Sequence, residues 1–289
     1  LPIDAVSAGD ILDFAPTDGI SLGDKFRFNL KILRADLGNF FLHQYRHVDG
    51  FLITGKNSGT HWLKYMLSCA IAQEFGVAPP QFASGSAANE IIGHPAGTRP
   101  RNGLPRIGSA HTIPSVAFRW PWFNRISPRP PIVLLVRDIQ SAMLSNYVKW
   151  KDSYNVPLSD YVRGDPSGKR FIADIWWYIH FFNRWGDIQQ RLPEQLLVLR
   201  YEEMQRDPHT ALAQAARHWG INLSPTAISA AMPYASREAL RQKLDPAFSE
   251  TVIPAPRAKA ALKFSDSDRR FIRAAFEQHL RHDFGYAKA

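Results

Sequence analysis

The stretch Gly50-Phe51-Leu52-Ile53-Thr54-Gly55-Lys56-Asn57-Ser58-Gly59-Thr60-His61-Trp62 changes character midway. Its first five residues form a nearly continuous apolar run, as expected of a strand covered on both faces. From residue 60 to 75 the period becomes helical, with Trp62, Leu63, Met66, Leu67, Ala70 and Ile71 on one face and Gly76 as the stop. A glycine-containing turn therefore joins a buried strand to a helix start. Free backbone N–H groups converge there and the helix dipole adds to them, which suits an anion such as a 5′-phosphate. Ser58 and Thr60 add hydroxyl donors, and each charge-assisted bond contributes about 1.5–3 kcal/mol. Taken alone, the same letters also describe an ordinary strand–turn–helix joint. They do not describe a Walker A loop, because Gly59 is followed directly by Thr60 with no lysine between them.

Working outward, residues 106–110, 131–136 and 196–200 read as further buried strands. Helical patterns cover residues 141–150, 170–191, 207–219 and 266–282. Strand followed by helix, repeated, predicts an α/β fold: a three-layer sandwich with a central parallel sheet flanked by helices and a P-loop-like phosphate loop. Residues 84–105 and 244–263 read as long irregular loops, of a length that is usually functional. Near the start, Phe26, Leu30, Leu33 and Leu37 recur at helical spacing with Lys25, Arg27, Lys31 and Arg34 between them. This predicts an amphipathic helix packed on the domain, with a membrane-surface helix as the less favoured alternative. Residues 1–48 are accordingly an N-terminal extension of the same domain, and residues 49–289 its main body.

The composition narrows the partners. The chain has 289 residues, 45% hydrophobic and 21% charged, which is globular and large enough for a substantial core. Its formal charge of +9 points to an anionic partner: nucleotide, nucleic acid, sulfated or phosphorylated ligand, or membrane surface. No basic-aromatic motif of a nucleic-acid module accompanies that charge, so no nucleic acid is expected. Cys69 is the single cysteine, which excludes an intrachain disulfide and fits a reducing, cytoplasmic setting. No apolar run approaches the ~20 residues of a spanning helix, and residues 1–10 lack the order of a secretion signal. No metal is expected, since the His and acidic residues show no ligand spacing.

The loop residues Ser58, Gly59, Thr60 and Trp62 resemble the phosphate loop Pro-Lys-Ser-Gly-Thr-Thr-Trp of sulfotransferases that use 3′-phosphoadenosine 5′-phosphosulfate (PAPS). His61 replaces the second Thr, and Asn57 falls on the family's catalytic lysine, with Lys56 one residue earlier. The resemblance continues in order. His111, in Ser109-Ala110-His111-Thr112-Ile113-Pro114, is similar to the catalytic base of Lys-Thr-His-Leu-Pro. Arg137 and Ser145 have the spacing of the pair that holds the 3′-phosphate. The run Arg200-Tyr201-Glu202-Glu203-Met204 resembles Tyr-Glu-Asp-Met, whose tyrosine sits near the adenine. Arg257, in Pro256-Arg257-Ala258-Lys259, stands where a late Arg-Lys-Gly clasps the 3′-phosphate, without its glycine.

The resemblance implies a PAPS-dependent sulfotransferase that releases adenosine 3′,5′-bisphosphate (PAP). His111 and Lys56 are the implied catalytic residues. The implied nucleotide set is Lys56, Asn57, Ser58, Gly59, Thr60, His61, Trp62, Arg137, Ser145, Tyr201 and Arg257. Lys56 can take the family lysine's place only if the loop bends to re-aim it, because neighbours on an extended chain face opposite ways. The acceptor is expected to be an apolar or aromatic small molecule or a lipid, with Phe118, Trp120, Trp122 and Phe123 as pocket wall. Trp177, Phe181 and Trp185, at helical spacing, are expected in the core. A P-loop kinase or NTPase and a non-catalytic PAP- or PAPS-binding protein stand as alternatives; the oligomeric state is not legible.

Overall fold

Each apolar run identified in the sequence forms a strand: β1 (Gly50–Thr54), β2 (Ile107–Ala110), β3 (Ile132–Val136) and β4 (Leu196–Arg200). The computed structural model describes residues 20–97, 103–244 and 262–286. The strands lie in the order β2-β1-β3-β4 and every pairing is parallel. In register, Leu52 sits beside Ser109 and Val133, and Leu134 beside Val198.

The helices that build the outer layers are, in chain order, α1 (Leu22–Asp36), α2 (Thr60–Glu74), α3 (Gly85–Ile92), α4 (Ile139–Tyr154), α5 (Ile175–Arg191), α6 (Pro208–His218), α7 (Pro225–Ala231) and α8 (Asp266–His279). Strand alternation sends Phe51, Ile53, Leu134 and Val136 into one core with α4, α5 and α8. Leu52, Val133 and Leu135 point the other way, into a second core with α2, α6 and α7. Two apolar faces on one sheet explain why β1 and β3 read as unbroken apolar runs: each is buried along its whole length.

Local chemistry moved several helix boundaries. Residues 84–105, expected to be irregular, contain α3, which the Ser84 hydroxyl caps by accepting from the Ala87 amide at 3.1 Å. Its Ser/Gly/Ala-rich start hid an end, Ile91 and Ile92, that docks into the second core. Helix α5 begins at Ile175 and not at 170, because the Asp174 carboxylate accepts from the Trp177 amide at 3.0 Å and caps it. Helix α1 stops at Asp36, and its packed face differs from the expected one. Phe28 is buried against Trp176 at 4.9 Å, and Ile32 joins the same core. Phe26, Leu33 and Leu37 are instead 69%, 60% and 69% exposed. Among the described residues no helix is long and apolar enough to cross a membrane.

Candidate active site

Because the sheet is parallel, Thr54, Ala110, Val136 and Arg200 all end at the same edge. The chain moves from β1 to one neighbour, β2, then returns past it to β3, and ligands of open α/β sheets bind outside such a reversal.

The turn after β1 is shaped by two left-handed residues. Asn57 has φ 59° and Gly59 φ 93°. Gly59 meets a second demand, since a Cβ there would lie 2.8 Å from the Tyr201 ring. Gly59 is also the N-cap of α2 and offers no side chain to its first amides, which stay open to an anion. Ser58 is buried, and the Tyr178 hydroxyl braces the loop by donating to the Lys56 carbonyl at 2.9 Å. Burial, and then the charges of Lys64, Lys149 and His111, lower the His61 pKa to about 4, so its ring is neutral.

Arg137 follows β3, and its Nη1 donates to the Asn57 carbonyl at 3.0 Å and to the Ser145 hydroxyl at 3.3 Å. Its guanidinium lies 4.4 Å over the Tyr201 ring, and Tyr201 meets Trp62 edge-on with centroids 5.9 Å apart. Loop, arginine, serine and both aromatics thus form one cluster. Among the described residues, Arg137 Nε and His61 Nδ1 are buried with no hydrogen-bond partner, an arrangement that calls for an acceptor-rich ligand. The last nucleotide candidate, Arg257, lies outside the described residues.

His111 follows β2 and is tied to the loop by a chain of bonds. Its Nδ1 is 2.9 Å from the Thr54 carbonyl and 2.9 Å from the Thr54 hydroxyl. A carbonyl only accepts, so Nδ1 carries the proton and Nε2 holds the basic lone pair. The Thr54 hydroxyl can then donate to Thr60 Oγ1, 2.7 Å away, leaving the Thr60 hydrogen for a ligand at the loop. His111 is exposed, and its ring opens on a cleft. Desolvation is the main cause that lowers its pKa; the Thr54 carbonyl opposes it, and Lys56, Lys149 and Lys64 add to the lowering. Neutral at ordinary pH, it is set to take up a proton.

Lys56 is re-aimed, but toward the cleft. The left-handed Asn57 breaks the alternation of an extended chain, and Lys56 Nζ donates to the Ile172 carbonyl at 2.5 Å and lies 5.0 Å over the Trp177 ring. Desolvation lowers its pKa to about 8, with Asp174 opposing and Lys31 assisting.

The cleft beside His111 has a volume of about 730 Å³ and is lined by Lys31, Asn39, Thr112, Trp177 and His180 among others. The expected wall of residues 118–123 is not there. Phe118 is fully buried beneath the Arg129 guanidinium, while Trp120 and Trp122 stack on each other at the surface. Phe181 and Trp185 are core, as their spacing predicts, whereas Trp177 faces the cleft. Sequence reasoning missed the site roles of Thr54, Lys31 and His180. A threonine closing an otherwise apolar strand was a usable signal for Thr54. Lys31 and His180 reach the cleft only through the packing of α1 and α5, which no local pattern announces. Among the described residues, no group of three or more His, Cys, Asp or Glu could hold a metal ion.

An anion-ready loop at a sheet reversal, with His111 tied to it through Thr54, defines an α/β protein of the phosphate-loop type. The sulfotransferase domain model matches residues 48–274, most of the chain, and the protein belongs to that family of sulfuryl-transfer enzymes. Among solved structures, mouse sulfotransferase SULT7A1 in complex with PAP is 14% identical with a TM-score of 0.51, covering 83% of this chain and 86% of that one. The sulfotransferase from Alicyclobacillus acidocaldarius is also 14% identical, covering 71% and 99%, with a TM-score of 0.39. The sulfotransferase domain of the Synechococcus PCC 7002 olefin synthase is 12% identical, covering 79% and 93%, with a TM-score of 0.39. No curated protein sequence matches the chain significantly.

Proposed function

We propose that this protein transfers a sulfuryl group from PAPS to a hydroxyl of a small-molecule acceptor with an apolar or aromatic body, using His111 as general base. The hydrogen-bonded chain from His111 through Thr54 to Thr60 carries the reading, because it fixes the base relative to the phosphate loop. PAPS, when bound, supplies a sulfuryl group on a phosphate leaving group. The open amides at the start of α2, with Ser58, Thr60 and His61, hold its 5′ side. Arg137 and Ser145 hold the 3′-phosphate and Trp62 and Tyr201 flank the adenine, while the sequence resemblance alone assigns Arg257 to the same phosphate. The residues fit such a group: Gly59 leaves a cradle that a Cβ would fill, and Arg137 Nε has no protein acceptor.

As the acceptor oxygen bonds to sulfur, His111 Nε2 takes up the hydroxyl proton. The bond from sulfur to the bridging phosphate oxygen breaks, its electron pair stays with PAP, and Lys56 supplies positive charge for the departing group. The reading includes a cytoplasmic setting, for which the lone buried Cys69 speaks. It also treats residues 1–48 and 49–289 as one unit, supported by Phe28 lying against Trp176 and His279.

Calorimetry tests the nucleotide assignment. PAP should bind far more tightly than AMP, because Arg137 and Ser145 read the 3′-phosphate; equal affinity overturns the reading. A non-catalytic PAP binder is the second reading, favoured by Asn57 at the family lysine's position and by the contact of Lys56 with Trp177. Transfer from labelled PAPS to any member of a broad alcohol panel excludes it.

A further inference from the structure

The acceptor cleft carries positive charge that the transfer chemistry does not use. Lys31 comes from α1, outside the phosphate loop and the strand-end motifs, and lines the cleft together with His111. Its placement is built. The Asp165 carboxylate collects the amides of Ser167, Lys169 and Arg170, which curls residues 165–170 into a tight turn. That turn presents Gly168, φ 71°, to Lys31, and a Cβ on Gly168 would lie 2.3 Å from Lys31 Nζ. The end of the Lys31 side chain thus rests directly against the Gly168 backbone. Lys56 lies over the ring of Trp177, itself a lining residue, and Lys149 is close enough to act on His111.

Nothing among the described lining residues offsets this charge: no Asp or Glu lines the cleft. Asp174, the carboxylate that acts on both Lys31 and Lys56, is completely buried. It is committed to the amides of Asp165 at 2.7 Å and Trp177 at 3.0 Å. One buried carboxylate therefore faces two ammonium groups. Lys56 gives one N–H to a carbonyl and keeps others for a ligand. Bringing an acidic acceptor up to an anionic donor would be opposed by like-charge repulsion, and lysines between the two would remove that penalty.

We infer that the acceptor carries an anionic group, a carboxylate, sulfate or phosphate, beside the hydroxyl that is sulfated, and that Lys31 receives it while Trp177 packs on its body. The inference rests on the proposed sulfuryl transfer and names its acceptor class. Lys31 acts here as a specificity residue that selects among acceptors.

The test needs no knowledge of the natural acceptor. A panel of matched fragments, each a carboxylic acid and its primary amide on the same scaffold, is screened by ligand-observed NMR against the full chain saturated with PAP. Acids should outbind their amides by roughly tenfold or more across the panel, the scale of one charge-assisted bond. In Lys31→Met that preference should fall toward unity while PAP affinity, measured by calorimetry, stays unchanged and reports an intact fold. Equal binding of acids and amides, binding of neither, or a preference that survives Lys31→Met overturns the inference. A protein that prefers PAP over AMP yet shows no acid preference loses only the acceptor class. One that prefers acids but does not discriminate PAP from AMP loses the proposed function itself.

Discussion

The two halves of the cleft are made in opposite ways. The proposed nucleotide side is built around one local loop, with Asn57, Ser58, Gly59, Thr60 and His61 consecutive, to which the ends of β3 and β4 bring Arg137 and Tyr201. The proposed acceptor side is assembled from α1, the end of β2 and α5, which are far apart in the chain. The first side therefore rests mainly on one loop and needs the sheet only to bring Arg137 and Tyr201 to it. The second depends on how distant helices pack, and its chemistry can change without touching the phosphate loop. His111 joins them through Thr54.

Substitutions at the joint should separate the two halves most sharply. His111→Ala should lower kcat by about 10²–10⁴-fold, the range of a positioned base, while PAP affinity measured by calorimetry stays within a factor of two or so. Undiminished transfer would move the base elsewhere. Within the nucleotide half, Arg137→Ala removes a charged donor from the cluster of Asn57, Ser145 and Tyr201. PAP affinity should fall by about 10–100-fold, corresponding to roughly 1.5–3 kcal/mol, with AMP affinity little affected. A parallel loss for both nucleotides would place Arg137 on another part of the ligand.

Thr54→Val keeps shape and removes the hydroxyl that links base to loop. Here kcat should drop by about fivefold, the scale of one neutral hydrogen bond, with PAP binding preserved. An unchanged kcat would mean that the carbonyl of residue 54 alone orients the ring.

The smallest effect is on the pH profile of kcat/KM. His111 must be neutral to accept a proton, and its pKa is lowered, so the acid limb should lie below the ordinary histidine value of about 6.5. Lys56 must be protonated, and with its pKa at about 8 activity should decline above that pH. Lys56→Arg should carry the alkaline limb upward, since guanidinium stays charged. An unmoved limb would assign it to another group, Lys64 being the other lysine brought to about 8.

Legibility followed the same division. Unbroken apolar runs located β1 and β3, because a strand buried on both faces leaves no polar residue to confuse the pattern, while the shorter apolar stretches of β2 and β4 sufficed at their less buried positions. The sequence pattern of α1 specifies a helix but not which face is buried. Phe28 and Phe26 are equally apolar, and only the position of Trp176 decides which one packs. The aromatic run at residues 118–123 misled for a related reason: an aromatic cluster fits a core, a surface or a pocket wall equally well until its neighbours are known.

What the sequence determined by itself is the identity of the donor-side chemistry. A strand, a glycine turn and a helix start are specified by residues in contact along the chain, and their order with His111, Arg137 and Tyr201 survives without coordinates. Only the tertiary structure decided where Lys56 goes and that Lys31, Trp177 and His180 share a cleft with the base. The left-handed backbone at Asn57 turned Lys56 out of the alternation, and the packing of α1 and α5 onto the sheet brought the rest together. Those are long-range outcomes of burial, in which many local patterns are compatible with several neighbours and the core selects one.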